Sequence, residues 1–349
     1  MTMLSWSAAV LAATALVLAI GFARHRLLLL AIVLAATIAA RAAGGDRALQ
    51  SVLAFAPILL LVAALMPEAR WRTKRNAGWL LLLAFALLIG LHAPAHVAAG
   101  LDRVLIGLWP GSDPGRGAAA VVGVASLACL VRWVVRGAMA ELTASLALLG
   151  FALALAWLAQ VERSMQALAA TGCTITLGLL YGAYRMAFVD ALSGLRNRRA
   201  LDEALERLSG SYAIAMVDID HFKSFNDSHG HAAGDVVLRE VASRLRRHAG
   251  SASYRYGGEE FCIVFEDAAV ERAEASLESV RAAIEARAFR VRPIGRDGKP
   301  GKPKDVKVTV SLGVADRSEK RRTPKEVITA ADKALYRAKA SGRNRVMRG

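Results

Sequence analysis

Ser253-Tyr254-Arg255-Tyr256, Gly257-Gly258-Glu259-Glu260-Phe261 and Cys262-Ile263-Val264-Phe265 follow one another, and the rest of the chain is organised around them. The two flanks are rich in aromatic and β-branched residues and read as strands. Two glycines between them predict a tight hairpin, since Gly accepts positive φ without steric cost. Two carboxylates come next, presented at the hairpin tip. Such a tip beside a buried strand suits a divalent cation and a polyphosphate. Standing alone, it would equally be a Gly-Gly turn with solvated glutamates, so the surrounding chain has to decide.

Upstream, Tyr212-Ala213-Ile214-Ala215-Met216-Val217 is almost wholly apolar, as a buried central strand is, and it ends in Asp218-Ile219-Asp220. Carboxylates at the end of a buried strand are costly unless paired or bound to a cation. If this strand neighbours the hairpin, Asp218 converges with Glu259 and Glu260. Hard oxygen ligands with room for phosphate suit Mg²⁺, with Mn²⁺ the alternative. The plain reading is that Asp218 caps the next helix. Lys223 follows where a short helix starts, and cations and helix N-termini both attract phosphate. Asn226, His231 and Asp235 have side chains that can read a polar base, although each alone also reads as a turn or cap residue.

Around these residues the pattern predicts helices over 198–208, 221–227, 233–247, 271–288 and 324–340, with strands over 212–218, through the hairpin and up to 314. Strands alternating with helices, with one hairpin between them, indicate an α/β, ferredoxin-like domain with a central antiparallel sheet. Residues 290–305 are rich in Gly, Pro, Lys and Arg and read as an exposed basic loop.

From about Asp190 to the end, the chain resembles the GGDEF family, the diguanylate cyclases. Asp190-Ala191-Leu192-Ser193-Gly194-Leu195-Arg196-Asn197-Arg198-Arg199 is similar to the family's opening motif, with Ser193 where Thr is usual. Asp218-Ile219-Asp220-His221-Phe222-Lys223 resembles its metal and phosphate segment, and Asn226-Asp227, Gly230-His231 and Gly234-Asp235 its guanine-binding segment. Gly257-Gly258-Glu259-Glu260-Phe261 is the Glu variant of the signature. Val310-Ser311-Leu312-Gly313-Val314-Ala315, the run from Ala331 to Lys339, and Gly342-Arg343-Asn344 resemble the closing strand and helix. The resemblance implies a palm-like domain in which two GTP condense to cyclic di-GMP and two pyrophosphates. It implies that Asp218, the Ile219 carbonyl, Glu259 and Glu260 hold Mg²⁺, and that Glu259 accepts the proton of the attacking 3′-hydroxyl. By the same token Lys223, Lys339 and Arg343 meet the phosphates, while Asn226, His231 and Asp235 hold guanine and ribose. A single domain cradles one GTP, so the active form is a homodimer. The family's inhibitory Arg-x-x-Asp is replaced by His248 and Ser251. Arg246 and Arg247 stand nearby without a paired acid, and no product-inhibition site is expected.

The first half is different. The 349 residues are 55% hydrophobic, with apolar residues concentrated before residue 189 and charges after it. That split predicts a multi-pass α-helical membrane domain over 1–188 and a cytoplasmic GGDEF domain over 189–349. Seven apolar stretches run over 4–23, 27–43, 49–66, 78–98, 118–135, 142–161 and 165–188, most of them near the length of about 20 residues that spans hydrocarbon. The second is short, which leaves six spans as the alternative, and its Arg26 and Arg41 are expected to snorkel outward. The first reads as a span and not as a signal peptide. With the C-terminus inside, inner loops carry eight Lys or Arg against five outside. That bias places the N-terminus outside and the C-terminus inside, and with the family resemblance it implies a bacterial inner membrane with the C-terminal domain in the cytoplasm.

The net charge of +16 suits membrane apposition and nucleotide phosphates, and no nucleic-acid partner is expected. Cys129, Cys173 and Cys262 are too scattered for a disulfide or zinc framework. His92 and His96 could hold a ligand near the outer end of the fourth stretch, although interfacial histidines commonly hold none. A transporter reading is disfavoured by the scarcity of acids and bases within the apolar stretches. A non-catalytic GTP receptor is the remaining rival. Against it, degenerate members lose the signature acids that are kept here.

Overall fold

The computed structural model describes residues 3–22, 25–42, 46–65, 114–249, 252–267, 270–292 and 301–349. The stretch 78–98 with His92 and His96, the loop arginines between 66 and 113, Ser251 and residues 293–300 lie outside them. The chain divides into two units, Met1–Ala183 and Tyr184–Gly349.

The first unit is helical: α1 (Met3–Gly21), α2 (His25–Ala42), α3 (Asp46–Leu65), α4 (Pro114–Arg136), α5 (Met139–Ala156) and α6, which runs over Val161–Phe188. The sixth apolar stretch thus ends at Ala156, earlier than the sequence pattern predicts. Small residues such as Ala8, Ala12 and Ala15 lie in the core beside Leu34, Leu60, Leu148 and Leu168. Small side chains let helix backbones approach closely. Ser126 and Ser145 exchange hydroxyl–carbonyl hydrogen bonds of 2.8 and 3.0 Å between α4 and α5. Among the described residues three helical stretches, Arg116–Arg136, Met139–Ala156 and Val161–Phe188, are long and apolar enough to cross a membrane. Arg26 and Arg41 do not snorkel. Arg26 is fully buried and meets Glu141 at 2.7 Å, and Arg41 donates to the Leu158 carbonyl at 2.7 Å. Acceptors inside the bundle hold these guanidiniums in place of water.

The second unit is built on β1 (Tyr212–Ile219), which is buried along its whole length. Around it stand α7 (Arg198–Arg207), α8 (Phe222–His229), α9 (His231–His248), β2 (Ser253–Arg255), β3 (Glu260–Glu266), α10 (Val270–Glu285), β4 (Phe289–Val291), β5 (Lys304–Val306), β6 (Val310–Asp316), α11 (Pro324–Ala340) and β7 (Val346–Arg348). The main sheet has the order β2-β3-β1-β6-β7, and β4 pairs with β5 in a separate ribbon. The sheet is mixed and not wholly antiparallel, because β7 joins β6 in parallel. A short strand added after a crossover helix leaves no pattern of its own in the sequence.

β1 has helices on both faces, which explains its unbroken apolar run. Ala213, Ala215, Val217 and Ile219 pack with α9 and α10, whereas Tyr212, Ile214 and Met216 pack with α7 and α11. By the two-residue period of a strand, Asp218 therefore points toward α11. At Gly313 a Cβ would run into the backbone of Ala331 and Leu335. Glycine there lets α11 lie directly on β6. The same helix starts with a capping box, Thr323 and Glu326 each reaching the other's backbone N–H, behind Pro324.

Candidate active site

The hairpin differs from a two-residue turn. Arg255 pairs with Phe261, and the Tyr256 and Gly257 N–H groups both donate to the Glu260 carbonyl, at 2.9 and 3.2 Å. Gly257, Gly258 and Glu259 are thus the loop, and Glu260 already belongs to β3. Neither glycine adopts positive φ. A Cβ at Gly257 would come within 2.9 Å of Glu260 Oε2, the far end of a flexible side chain that can turn aside, while Gly258 faces open surroundings.

Register sets the acids. Asp218 lies opposite Glu260 on one side and opposite Ser311 on the other. It is only 5% exposed, and Lys339 Nζ from α11 sits 2.9 Å from its Oδ2. Burial pushes the Asp218 carboxyl above its ordinary range, Lys339 pulls it back, and Asp220 raises it further. Burial also raises Glu259, helped by the charges of Asp218 and Glu260 and opposed by Lys339. Arg343 adds attraction for Asp218. The structure therefore brings Asp218, Glu259, Glu260 and Lys339 into one electrostatic cluster, with Arg343 acting on it.

Mutually repelling, desolvated carboxylates fit a hard cation. Among the described residues no three His, Cys, Asp or Glu side chains form a cage by themselves. Lys339, with 35% of its side chain exposed, is the cation that meets Asp218 in this cluster.

On α8 and α9 the other predicted residues take different settings. Lys223 is exposed in the first turn of α8, whose N-cap, His221, sits at φ 57° and makes no side-chain cap. The first-turn N–H groups there are left for a ligand. Asn226 packs against Gly234, where any Cβ would collide with its amide, and its Oδ1 is buried without a hydrogen-bond partner. A buried orphan acceptor of this kind calls for a donor from a bound molecule. His231 and Asp235 are exposed one turn apart at the start of α9.

Two residues escaped the sequence reading. Asp220 is 6% exposed and accepts hydrogen bonds from Thr309 Oγ1 at 2.6 Å, Ser311 Oγ at 2.7 Å and the Asn344 N–H at 3.1 Å. It ties the end of β1 to β6 and to the Gly342–Asn344 turn, where Arg343 is held at φ 64°. Its signal was present in Asp218-x-Asp220, but sequence could not separate the two acids. Arg255 donates to the carbonyls of Gly257 at 3.2 Å and Gly258 at 2.7 Å and pairs with Asp190 at 2.9 Å. Asp190 also accepts from the Ser193 N–H and hydroxyl, both at 2.7 Å. Burial raises Asp190, but these partners outweigh it and hold the carboxyl below its ordinary range. Ser193 in place of Thr thus still supplies the hydroxyl.

Residues 187–345 match the family model described as the diguanylate cyclase GGDEF domain. They are a GGDEF domain. This GGDEF domain is similar to that of diguanylate cyclase DgcP of Pseudomonas aeruginosa, 40% identical over 169 residues, covering 46% of this chain and 24% of DgcP. Diguanylate cyclase VdcA of Vibrio cholerae is 39% identical over 166 residues, 46% of this chain and 47% of VdcA. The chain thus spans between a quarter and about half the length of these curated relatives. Among solved structures, the coiled coil and GGDEF domain of DgcB from Caulobacter crescentus in complex with c-di-GMP is 33% identical, with a TM-score of 0.45 and coverage of 56% of this chain and 98% of that one.

Near the inhibitory positions, His248 is exposed at the end of α9. Arg246 donates to the Ser193 carbonyl at 3.3 Å and Arg247 to Ser243 Oγ at 2.9 Å.

Proposed function

We propose that the protein is a membrane-bound diguanylate cyclase that condenses two GTP into cyclic di-GMP and two pyrophosphates as a homodimer. The observation that carries this reading is the convergence of Asp218, Glu259, Glu260 and Lys339 at the end of β1 within a GGDEF domain. Exposed apolar side chains such as Val124, Leu127, Val131, Val134 and Val135 on α4 support a bilayer setting. The membrane is read as the bacterial inner membrane, with the GGDEF domain cytoplasmic and the helical unit regulating it.

In this reading Asp218, the Ile219 carbonyl, Glu259 and Glu260 would hold Mg²⁺, which when bound offsets charge on the phosphates. Glu259, whose carboxyl burial raises above its ordinary range, accepts the proton of one GTP's 3′-hydroxyl as that oxygen attacks the α-phosphorus of the GTP on the partner domain. The bond to the β-phosphate oxygen breaks and pyrophosphate leaves. Lys223, Lys339 and Arg343 neutralise the developing charge. Asn226, His231 and Asp235 orient the guanosine. Incubating the purified full-length protein with GTP and Mg²⁺ should give cyclic di-GMP and pyrophosphate. GTP binding without either product would make the protein a non-catalytic receptor.

The orphan Oδ1 of Asn226 makes guanine selectivity testable. Asn226→Ala and Asp235→Ala should each raise KM for GTP roughly five- to hundredfold, from about 1–3 kcal/mol per unmade hydrogen bond. An unchanged KM in both removes them from the site.

Control by product should be weak, since Arg246 and Arg247 are already engaged, and His248 and Ser251 stand where the guanidinium and the carboxylate would be. Titrating cyclic di-GMP into the assay should leave the rate nearly unchanged. Strong non-competitive inhibition at low micromolar product would reveal another inhibitory site. Regulation should instead pass through residues 181–189, so insertions of one to four residues after Arg185 should change the rate with helical periodicity. A monotonic loss with insertion length would reject that coupling.

A further inference from the structure

The first unit contains a charged cluster that its apolar sequence does not advertise. Arg26, the second residue of α2, is fully buried. Its Nη2 donates to Glu141 Oε2 at 2.7 Å and to Cys129 Sγ at 3.2 Å. Arg132 reaches the same carboxylate oxygen from α4, through Nε at 3.0 Å and Nη2 at 2.7 Å. Two guanidiniums on one carboxylate leave a net positive charge. Among the described residues, Arg26 Nε and Nη1 are moreover buried without an acceptor.

A fully buried guanidinium with unmade N–H bonds is costly in a low-dielectric interior. A merely structural pair would need one arginine for one glutamate. Here the surplus is one cation and one set of free donors, all on the same side chain. The cluster also has a place in the fold. It joins the start of α2, the start of α5 and the last turns of α4, and the Ala64 carbonyl at the end of α3 lies 3.9 Å from Cys129 Sγ. All four helices begin or end there, so the cluster sits at one end of the bundle and not at its middle. Arg132, with 24% of its side chain exposed, connects it to the surface. At the end of a membrane bundle the abundant oxyanion is phosphate, and a guanidinium matches phosphate geometry.

We propose that Arg26 and Arg132, balanced by Glu141, form a phosphate-binding site at this end of the helical unit, taking either the phosphate of an anionic lipid headgroup or free inorganic phosphate. The inference does not depend on the cyclase activity. Glu141 occupies part of the site and weakens binding by holding both arginines.

Cys129 is a local reporter, in contact with Arg26 and remote in sequence from the GGDEF domain. Full-length protein carrying Cys173→Ala leaves two cysteines, Cys129 and Cys262, both buried. Alkylation of Cys129 by N-ethylmaleimide would be followed by peptide mass spectrometry in two settings. One is neutral detergent titrated with inorganic phosphate at constant ionic strength, and the other is phosphatidylcholine nanodiscs with increasing phosphatidylglycerol. Protection of at least fivefold in the first setting identifies free phosphate as a ligand, and protection confined to the second identifies the lipid headgroup. Either supports the site, and absence of protection in both overturns it. Arg26→Gln should abolish the protection. Because that variant could fail to fold, Glu141→Gln carries the decision. Freed of its competing carboxylate, the site should reach half-protection at a concentration at least tenfold lower. Protection that weakens or vanishes in Glu141→Gln would mean that the cluster only staples helices together, and would overturn the proposal.

Discussion

Glu259→Gln and Asp218→Asn should each lower cyclic di-GMP synthesis by at least about 10²-fold, the usual size of a lost positioned base or metal ligand. Both substitutions keep shape and hydrogen-bonding capacity, so the loss is one of charge. Folding should survive, and the linkage sign can be worked out. Both carboxyls have folded values above their ordinary ones, Asp218 through burial first and Glu259 through burial and then the Asp218 charge. A raised carboxyl binds protons better folded than unfolded, so stability falls as pH rises from the ordinary carboxylate range through the raised value. An amide cannot ionise and escapes that loss. The thermal midpoint of Asp218→Asn at neutral pH should therefore be no lower than that of the parent. Activity has the opposite dependence. It needs both carboxylates ionised, so it should fall on acidification before an unperturbed carboxylate would titrate, and more Mg²⁺ should restore it by competing with protons. Retention of a tenth of the parental rate by Glu259→Gln would remove it from the catalytic cluster.

Asp220→Ala should cost stability instead. Its carboxylate is buried and accepts the Thr309 and Ser311 hydroxyls and the Asn344 N–H, and Ser311 is itself fully buried. Removing the acceptor orphans donors on β6 and on the turn after α11. At about 1 kcal/mol for each of the two part-buried donors and about 1–3 kcal/mol for the buried Ser311 hydroxyl, the loss is on the order of 3–5 kcal/mol. That corresponds to a fall of roughly 10 °C in the midpoint of the GGDEF domain. The rate should fall too, because the Gly342–Asn344 turn fixes Arg343 in the left-handed region. Asp220→Asn keeps an acceptor and should recover part of both. Scanning calorimetry decides, and a midpoint within about 2 °C of the parent would show that the three hydrogen bonds do not hold β1, β6 and the turn together.

The sequence by itself determined every feature written in local patterns. The unbroken apolar run 212–217 announced a doubly covered strand. The pattern over 324–340 announced α11, and the apolar stretches announced helices of membrane length. The acids of the hairpin and Asp218 were legible for the same reason, since a charge beside an apolar run stands out within a few residues. What the tertiary structure decided is pairing between distant residues. Nothing near Lys339 says that it meets Asp218; strand parity, the β1–β6 register and the bare Cα of Gly313 place it there. Asp220, just past the end of β1, could be told from Asp218 only once Thr309, Ser311 and the Asn344 N–H were seen to converge on it while Lys339 met Asp218. The hairpin was misjudged because Gly-Gly signals a tight turn at positive φ, whereas here the loop is Gly257, Gly258 and Glu259 and neither glycine adopts positive φ. Arg26 and Arg132 looked like ordinary loop charges until Glu141, more than a hundred residues from Arg26, closed on both. Local propensity is fixed by neighbours in the chain, but a buried charge is decided by whichever residue the fold brings against it.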